Sequence, residues 1–236
     1  MISRPVLTTL TLASVFSAFV SLPLAGCAMT DALEVSAFLP PPPALHSAIE
    51  ADEKAWLRGK ELRVGDRLTE ASFDSQKVSP RWIEAMMTPV LGREINKTAT
   101  PAIHALIKAS LKASKDVSRG AKGRFYGRLR PYAVHPEDAT CNREVRDELN
   151  AKASYPSGHT TAVWTAGLAL SAAIPEKAGA ILDRAYRAGD NRWICGHHWK
   201  SDVDAGRALA SAAYAKLSAD GDFQAKLLAA RQEFAH

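Results

Sequence analysis

The chain has 236 residues, 47% of them apolar and 23% charged, with a net charge of +5. That is one domain's worth of sequence with ample material for a core, which excludes a largely disordered chain. The basic residues are scattered and not interleaved with aromatics, so composition does not point to nucleic acid, while three or four cations suffice for a site that takes an anionic substrate.

Residues 1–26 read as an export signal. Arg4 is the only charged side chain before Asp31, and an apolar, small-residue run over residues 6–24 follows it. Pro23 and small residues close the run and no second hydrophobic span follows, which suits a secretory signal better than a retained membrane helix. Leu24-Ala25-Gly26-Cys27 resembles a bacterial lipobox, in which Cys27 becomes the lipidated first residue of an outer-membrane lipoprotein; the alternative is ordinary cleavage nearby. The expected location is the periplasm of a Gram-negative bacterium. Residues 27–46 read as a linker whose polyproline stretch, Leu39-Pro40-Pro41-Pro42-Pro43, is a stiff lead-in to a domain over residues 47–236. With Cys27 lipidated or removed, Cys141 and Cys195 are an even pair in an oxidising compartment, and a disulfide between them is expected.

The helices follow in order. Ser47 is a candidate cap for a helix over residues 48–62. Ser79 caps a second opened by Pro80, which should end near Thr88 because Pro89 disfavours helix before it. Pro101 opens a third over residues 102–113, with Ile103, Leu106, Ile107 and Leu111 at helical spacing. Residues 116–126 read as another. Residues 132–155 are polar and irregular. Residues 159–173 form a buried helix, 176–188 a further one, and 201–217 a last, with Ser201 and Asp204 spaced like a capping box. No stretch alternates with period two, and no repeat or glycine-rich nucleotide loop occurs. The expected fold class is all-α, a single-domain bundle of seven to nine helices.

Three segments carry chemistry. In Tyr155-Pro156-Ser157-Gly158-His159, a helix start offers free N–H groups and a dipole that favours an anion, so Ser157, Gly158 and His159 are candidates around a phosphate. Between Asn191 and Asp202, Arg192 offers a bidentate fork for phosphate, and Asp202 lies four residues after His198, where a carboxylate can fix the ring tautomer and leave the other nitrogen free to attack. His197 reads as structural, and a His197/His198 metal site lacks further ligands at sensible spacing. The third segment holds Lys122 and Arg124 upstream of Arg130-Pro131, where the proline holds Arg130 extended.

Together these resemble the signature of the PAP2 superfamily, the histidine acid phosphatases related to vanadium haloperoxidases: Lys-x6-Arg-Pro, then Pro-Ser-Gly-His, then Ser-Arg-x5-His-x3-Asp. The likeness is strongest to the secreted, helical class A non-specific acid phosphatases of bacteria. It implies catalytic His198, His159 and Asp202, with the phosphate held by Lys122, Arg130, Ser157, Gly158 and Arg192. It implies small phosphate monoesters as substrates, no metal or other cofactor, no nucleic-acid partner, and a possible homo-oligomer. Two departures stand out. The serine before Arg192 is Asn191, and the lysine position falls on Gly123, so that either Lys122, by a one-residue insertion or helix bulge, or Arg124 fills it. The alternatives are a vanadate-dependent haloperoxidase and a non-catalytic phosphate-binding lipoprotein.

Overall fold

The computed structural model describes residues 38–44 and 46–235. The export signal, Cys27 and the first part of the linker lie outside the described residues. Within them the chain is all helical, without strands. In chain order the helices are α1 (His46–Glu61), α2 (Gly65–Asp74), α3 (Pro80–Leu91), α4 (Pro101–Arg124), α5 (Pro131–Val134), α6 (Arg143–Glu148), α7 (Gly158–Ala173), α8 (Ala178–Ile194), α9 (Lys200–Ser218) and α10 (Gly221–Ala235). A 3₁₀ turn, Pro175–Lys177, joins α7 to α8. No described helix is long and apolar enough to cross a membrane.

The central element is α7, which packs against α4, α8 and α9. Its run of Ala, Gly and Thr buries nearly all round, and its small residues let neighbours approach closely. A Cβ on Gly167 would lie 2.6 Å from the Ala185 Cβ of α8, and one on Gly206 of α9 would lie 2.7 Å from the Ser157 carbonyl. Around this axis the core is filled by Ile83 and Met87 of α3, Ile103, Leu106 and Ile107 of α4, Leu170 of α7, Ile181 of α8, and Phe223 of α10.

Several boundaries differ from expectation. Helix α3 runs on to Leu91, with Pro89 inside its last turn and Gly92 closing it at φ 73°. A proline there forfeits one hydrogen bond near an end already short of partners, and the buried Met86, Met87 and Leu91 hold the turn in place. The two helices expected over 102–113 and 116–126 are one, α4, of 24 residues. Its start is capped from afar, the Glu233 carboxylate of α10 accepting the N–H groups of Ala102 and Ile103 at 3.0 and 2.9 Å. Helix α1 begins at His46, which puts Ser47 in its first turn. The expected Ser201/Asp204 box does not form. Helix α9 begins at Lys200, and its third residue, Asp202, reaches back to the Trp199 N–H at 2.9 Å.

The expected disulfide forms between Cys141 and Cys195 and ties the irregular segment to the end of α8. In the polyproline stretch, Leu39 is buried against Ala121, Tyr155, Ala205 and Leu209, and the Pro40 carbonyl accepts from the Tyr155 hydroxyl at 2.7 Å.

Candidate active site

Helix α7 starts as its sequence requires. Ser157 is its N-cap, its Oγ accepting from the Thr160 N–H at 3.3 Å and the Thr160 hydroxyl at 2.9 Å. The Ser157 side chain is fully buried, which leaves Gly158 and His159 to line the open cavity in front of the helix. The cavity, about 1500 Å³, is also lined by Lys122, Arg130, Arg192 and His198. The structure therefore brings His198, His159, Lys122, Arg130, Arg192 and Gly158 to one space, with Asp202 and Ser157 immediately behind it.

Lys122 reaches the cavity from the last turn of α4. That helix is regular to Arg124, so no bulge moves the lysine; the extra residue in its spacing to Arg130 lies in the turn at 125–129, where Gly127 adopts φ 118°. Arg124 is exposed and does not line the cavity. The Lys122 Nζ lies 3.4 Å from where a Cβ on Gly158 would stand, so the missing side chain makes room for the ammonium group at the helix start.

Arg130, at φ −76° and ψ 156°, is held extended as the following proline dictates. The residue is 2% exposed and its guanidinium is tethered. Nε donates to the Asn150 carbonyl at 2.9 Å, Nη2 to Ala153 at 3.0 Å, and Nη1 to the His197 carbonyl at 2.8 Å. Nη1 also lies 2.9 Å from His198 Nε2, while His198 Nδ1 faces Asp202 Oδ2 at 3.3 Å. The same Nη1 is 3.5 Å from Nδ1, so it lies against the side of the ring. The Nδ1 contact to Asp202 fits one neutral tautomer, Nδ1 protonated towards the carboxylate and the lone pair left on Nε2. Arg192, from the last turn of α8, spends Nη1 on the Ser75 carbonyl at 2.9 Å; its buried Nε has no hydrogen-bond partner among the described residues. His159 Nε2 is likewise buried without a partner among them, its ring edge-on to Trp82 at 5.2 Å.

Several participants escaped the sequence reading. Asp74, at the end of α2, takes both forks of Arg184 at 2.7 and 2.6 Å and the Asn191 amide at 2.7 Å, so the residue replacing the motif serine is committed to a buried carboxylate. Arg128 donates to Asp202 Oδ1 and to Asp52 of α1, both at 2.6 Å. Ser154 donates to Asp202 Oδ2 at 2.5 Å. These contacts join residues 48 to 117 positions apart, and no local pattern announces them. His197 is wholly buried, its Nε2 beside the Asn142 carbonyl at 3.3 Å, away from the cavity. The described His, Cys, Asp and Glu side chains that converge closely enough for a metal are His135, Glu137 and Asp138, outside the cavity, where His135 also meets Glu53 and Asp138 meets Lys60.

Burial and crowded positive charge set the titration of the site. Burial, reinforced by Arg130 and Arg192, pushes the Lys122 ammonium down to about 8. Burial and Arg130 bring the Arg192 guanidinium down to about 9. His159 is driven well below the usual histidine range, by burial first and then by Arg192, His197 and Lys122; His198 is driven down by burial, then Arg130, Arg192 and Lys122. Burial raises the Asp202 carboxyl, while Arg128, Ser154 and the Trp199 N–H draw it back. Without an anion the site is overcharged.

A helical bundle that turns a helix N-terminus, three cations and two histidines onto one cavity has the donors and the positive charge to hold a tetrahedral oxyanion. Comparison with known proteins gives the family. Residues 99–219 match the model of the PAP2 superfamily. The chain is 36% identical over 207 residues to a non-specific acid phosphatase of Providencia stuartii, covering 87% of this chain and 83% of that one. A non-specific acid phosphatase of Salmonella typhi is 34% identical over 197 residues, 83% and 78% of the two chains, and an acid phosphatase of Zymomonas mobilis 33% identical over 197 residues, 83% and 74%. The chain belongs to the PAP2 superfamily.

Proposed function

We propose that the protein is a periplasmic acid phosphatase that hydrolyses small phosphate monoesters through a phosphohistidine on His198, without a metal. The observation that carries this reading is the pairing at His198, with Asp202 on Nδ1 and Arg130 Nη1 beside the ring, nearer Nε2. In the first step Nε2 attacks phosphorus, the bond to the leaving alcohol oxygen breaks, and His159 supplies that oxygen's proton. Arg130 Nη1 exchanges Nε2 for a phosphoryl oxygen, and Arg192, Lys122, Ser157 and the Gly158 N–H hold the others as charge develops. The positive charge gained by His198 is balanced by Asp202. In the second step His159 takes a proton from water, whose oxygen attacks phosphorus and releases inorganic phosphate and neutral His198.

Lys122 in the cavity supports turnover over mere binding, because it supplies the third cation for the charge that develops in the transition state. The general acid requires His159 protonated, yet in the ligand-free site burial first, and then Arg192, His197 and Lys122, oppose this. The substrate dianion offsets the positive neighbours and favours the imidazolium, so the acid acquires its proton with the substrate, and the optimum is expected below neutrality. The test is hydrolysis of p-nitrophenyl phosphate in EDTA across about pH 4 to 9, the span in which a histidine pair titrates. Turnover in the wild type that disappears in His198→Ala is expected. A fast-acting His198→Ala variant, or an optimum above about pH 8, would sink the assignment.

A further inference from the structure

We propose that Arg128 and Asp52 form a buried positioning relay for the nucleophile, in which Arg128 fixes the Asp202 carboxylate against His198 and Asp52 fixes Arg128. The inference rests on the catalytic reading of His198 and Asp202, and it adds two residues outside the cavity to that reading.

The division of labour at Asp202 is the first ground. Its Oδ2 is shared by His198 Nδ1, the Ser154 hydroxyl and the Trp199 N–H. Its Oδ1 accepts from Arg128 Nη1 at 2.6 Å. Asp202 is fully buried, so without Arg128 that oxygen would be left without its charged donor and the carboxylate would lose the contact that sets its rotation. The fixing of Arg128 is the second ground. Its Nη2 donates to Asp52 Oδ2 at 2.6 Å, and Nη1 also donates to the Ser201 hydroxyl at 2.8 Å. Asp52 in turn accepts the Ser201 N–H at 2.9 Å and its hydroxyl at 2.5 Å, which locks α1 to the first turn of α9. The guanidinium also lies over the rings of Tyr155 and Trp199, at 5.7 and 6.0 Å. Arg128 and Asp52 side chains are 14% and 6% exposed, so the pair is shielded from the screening that weakens surface ion pairs.

The chain of charge, Asp52 to Arg128 to Asp202 to His198, sums to one negative charge beside Nδ1, matched to the positive charge that His198 gains on phosphorylation. Asp202 is faced by Arg128, His198, Asp52 and Tyr155 close at hand, and by the positive charges of Arg130 and Lys122 across the cavity. Within that set, Arg128 and Asp52 act in opposite directions. Removing Arg128 takes away the nearest cation and should make Asp202 easier to protonate. Removing the Asp52 charge takes away a like charge and gives Arg128 wholly to Asp202, and should make it harder.

The experiment compares wild type, Arg128→Gln, Arg128→Lys and Asp52→Asn. It reads kcat and KM for p-nitrophenyl phosphate against pH, thermal unfolding, and the Asp202 carboxyl titration by carbon NMR. In Arg128→Gln the Asp202 midpoint should rise by about one unit or more, and the acid limb of kcat/KM should move up with it. Above that limb kcat should fall about ten- to a hundredfold, the range seen when outer partners of an oriented histidine are removed, with KM little changed. In Asp52→Asn the midpoint should move down. Arg128→Lys keeps the charge but cannot span both carboxylates, and should lower kcat with a smaller shift of the limb; it also serves if Arg128→Gln does not fold. An unmoved Asp202 midpoint, or shifts of the same sign in Arg128→Gln and Asp52→Asn, would overturn the relay. The NMR titration reads Asp202 directly, so it decides the relay even if wild type proves inert, which would count against the phosphatase reading instead.

Discussion

At the scale of single residues, the site trades stability for charge. Lys122 is pushed to about 8 by burial and by its arginine neighbours. That displacement is a free-energy cost of at most about 3.5 kcal/mol to the ligand-free fold near neutral pH, since one pKa unit corresponds to about 1.4 kcal/mol. Lys122→Met should raise the melting temperature at pH 7 while lowering kcat/KM by about a hundredfold or more, as loss of one donor to a transition-state oxyanion does. Calorimetry beside steady-state kinetics checks both signs. The buried histidines make a second case. His159, His197 and His198 all resist protonation in the folded state. The unfolded chain takes up protons near pH 6.5, so it binds more protons than the native state below that value. Stability is therefore present above about pH 6.5 and is lost as pH falls, at up to about 1.4 kcal/mol per pH unit for each histidine. Denaturant melts without phosphate between about pH 7 and 5 measure it; a flat profile would mean the histidines charge freely. The residues that touch the cavity were legible in the sequence because the chemistry confines them to short segments, Arg130-Pro131, Ser157-Gly158-His159 and Arg192 to Asp202. Asp52, Asp74, Ser75 and Arg128 were not, because their roles exist only where α1 and α2 meet α8 and α9.

At the scale of elements, glycine sets how close the site-bearing helices come. A Cβ on Gly206 would meet the Ser157 carbonyl at 2.7 Å and the Thr160 Cβ at 3.0 Å, and would push α9 from the start of α7. A Cβ on Gly167 would meet Ala185 at 2.6 Å, in the middle of α7. Both Gly→Ala changes should cost about 1–3 kcal/mol as overpacking. Gly206→Ala should also depress kcat, because the Ser157 N–H to Asp202 carbonyl bond of 2.9 Å joins the helices at that point. Equal loss of activity in the two variants would refute this. Spacing and Pro and Ser signals marked α1, α3, α4, α7, α8 and α9, with α7 placed within one residue of its start. Helices α2 and α10 carried no such signal, and α5 and α6 lie in the segment read as irregular, so the described residues hold ten α-helices where seven to nine were expected. The ends were less readable. Leu91 follows Pro89 into α3 because tertiary burial outweighs the local preference, and α4 continues through residues 114–115 because Ala113, Ser114 and Ser118 are buried on one face.

At the scale of the whole molecule, the Cys141–Cys195 bond closes a loop across 54 positions and delivers the end of α8, and with it Arg192 and His198, against the segment after Arg130. The chain-entropy account values such a loop at about 4 kcal/mol. Reduction should therefore lower the melting temperature and activity together, and a reduced protein that kept both would show the cross-link to be incidental. The same crowding of Lys122, Arg130 and Arg192 also bears on the end of the reaction. What relieves that crowding best is a small, doubly charged tetrahedron, and inorganic phosphate is one. The product is thus a better guest than the neutral alcohol that leaves with it, and as it accumulates it occupies the free site and competes with substrate. Catalysis by this architecture should be self-limiting, quick where phosphate is scarce and throttled where it is plentiful.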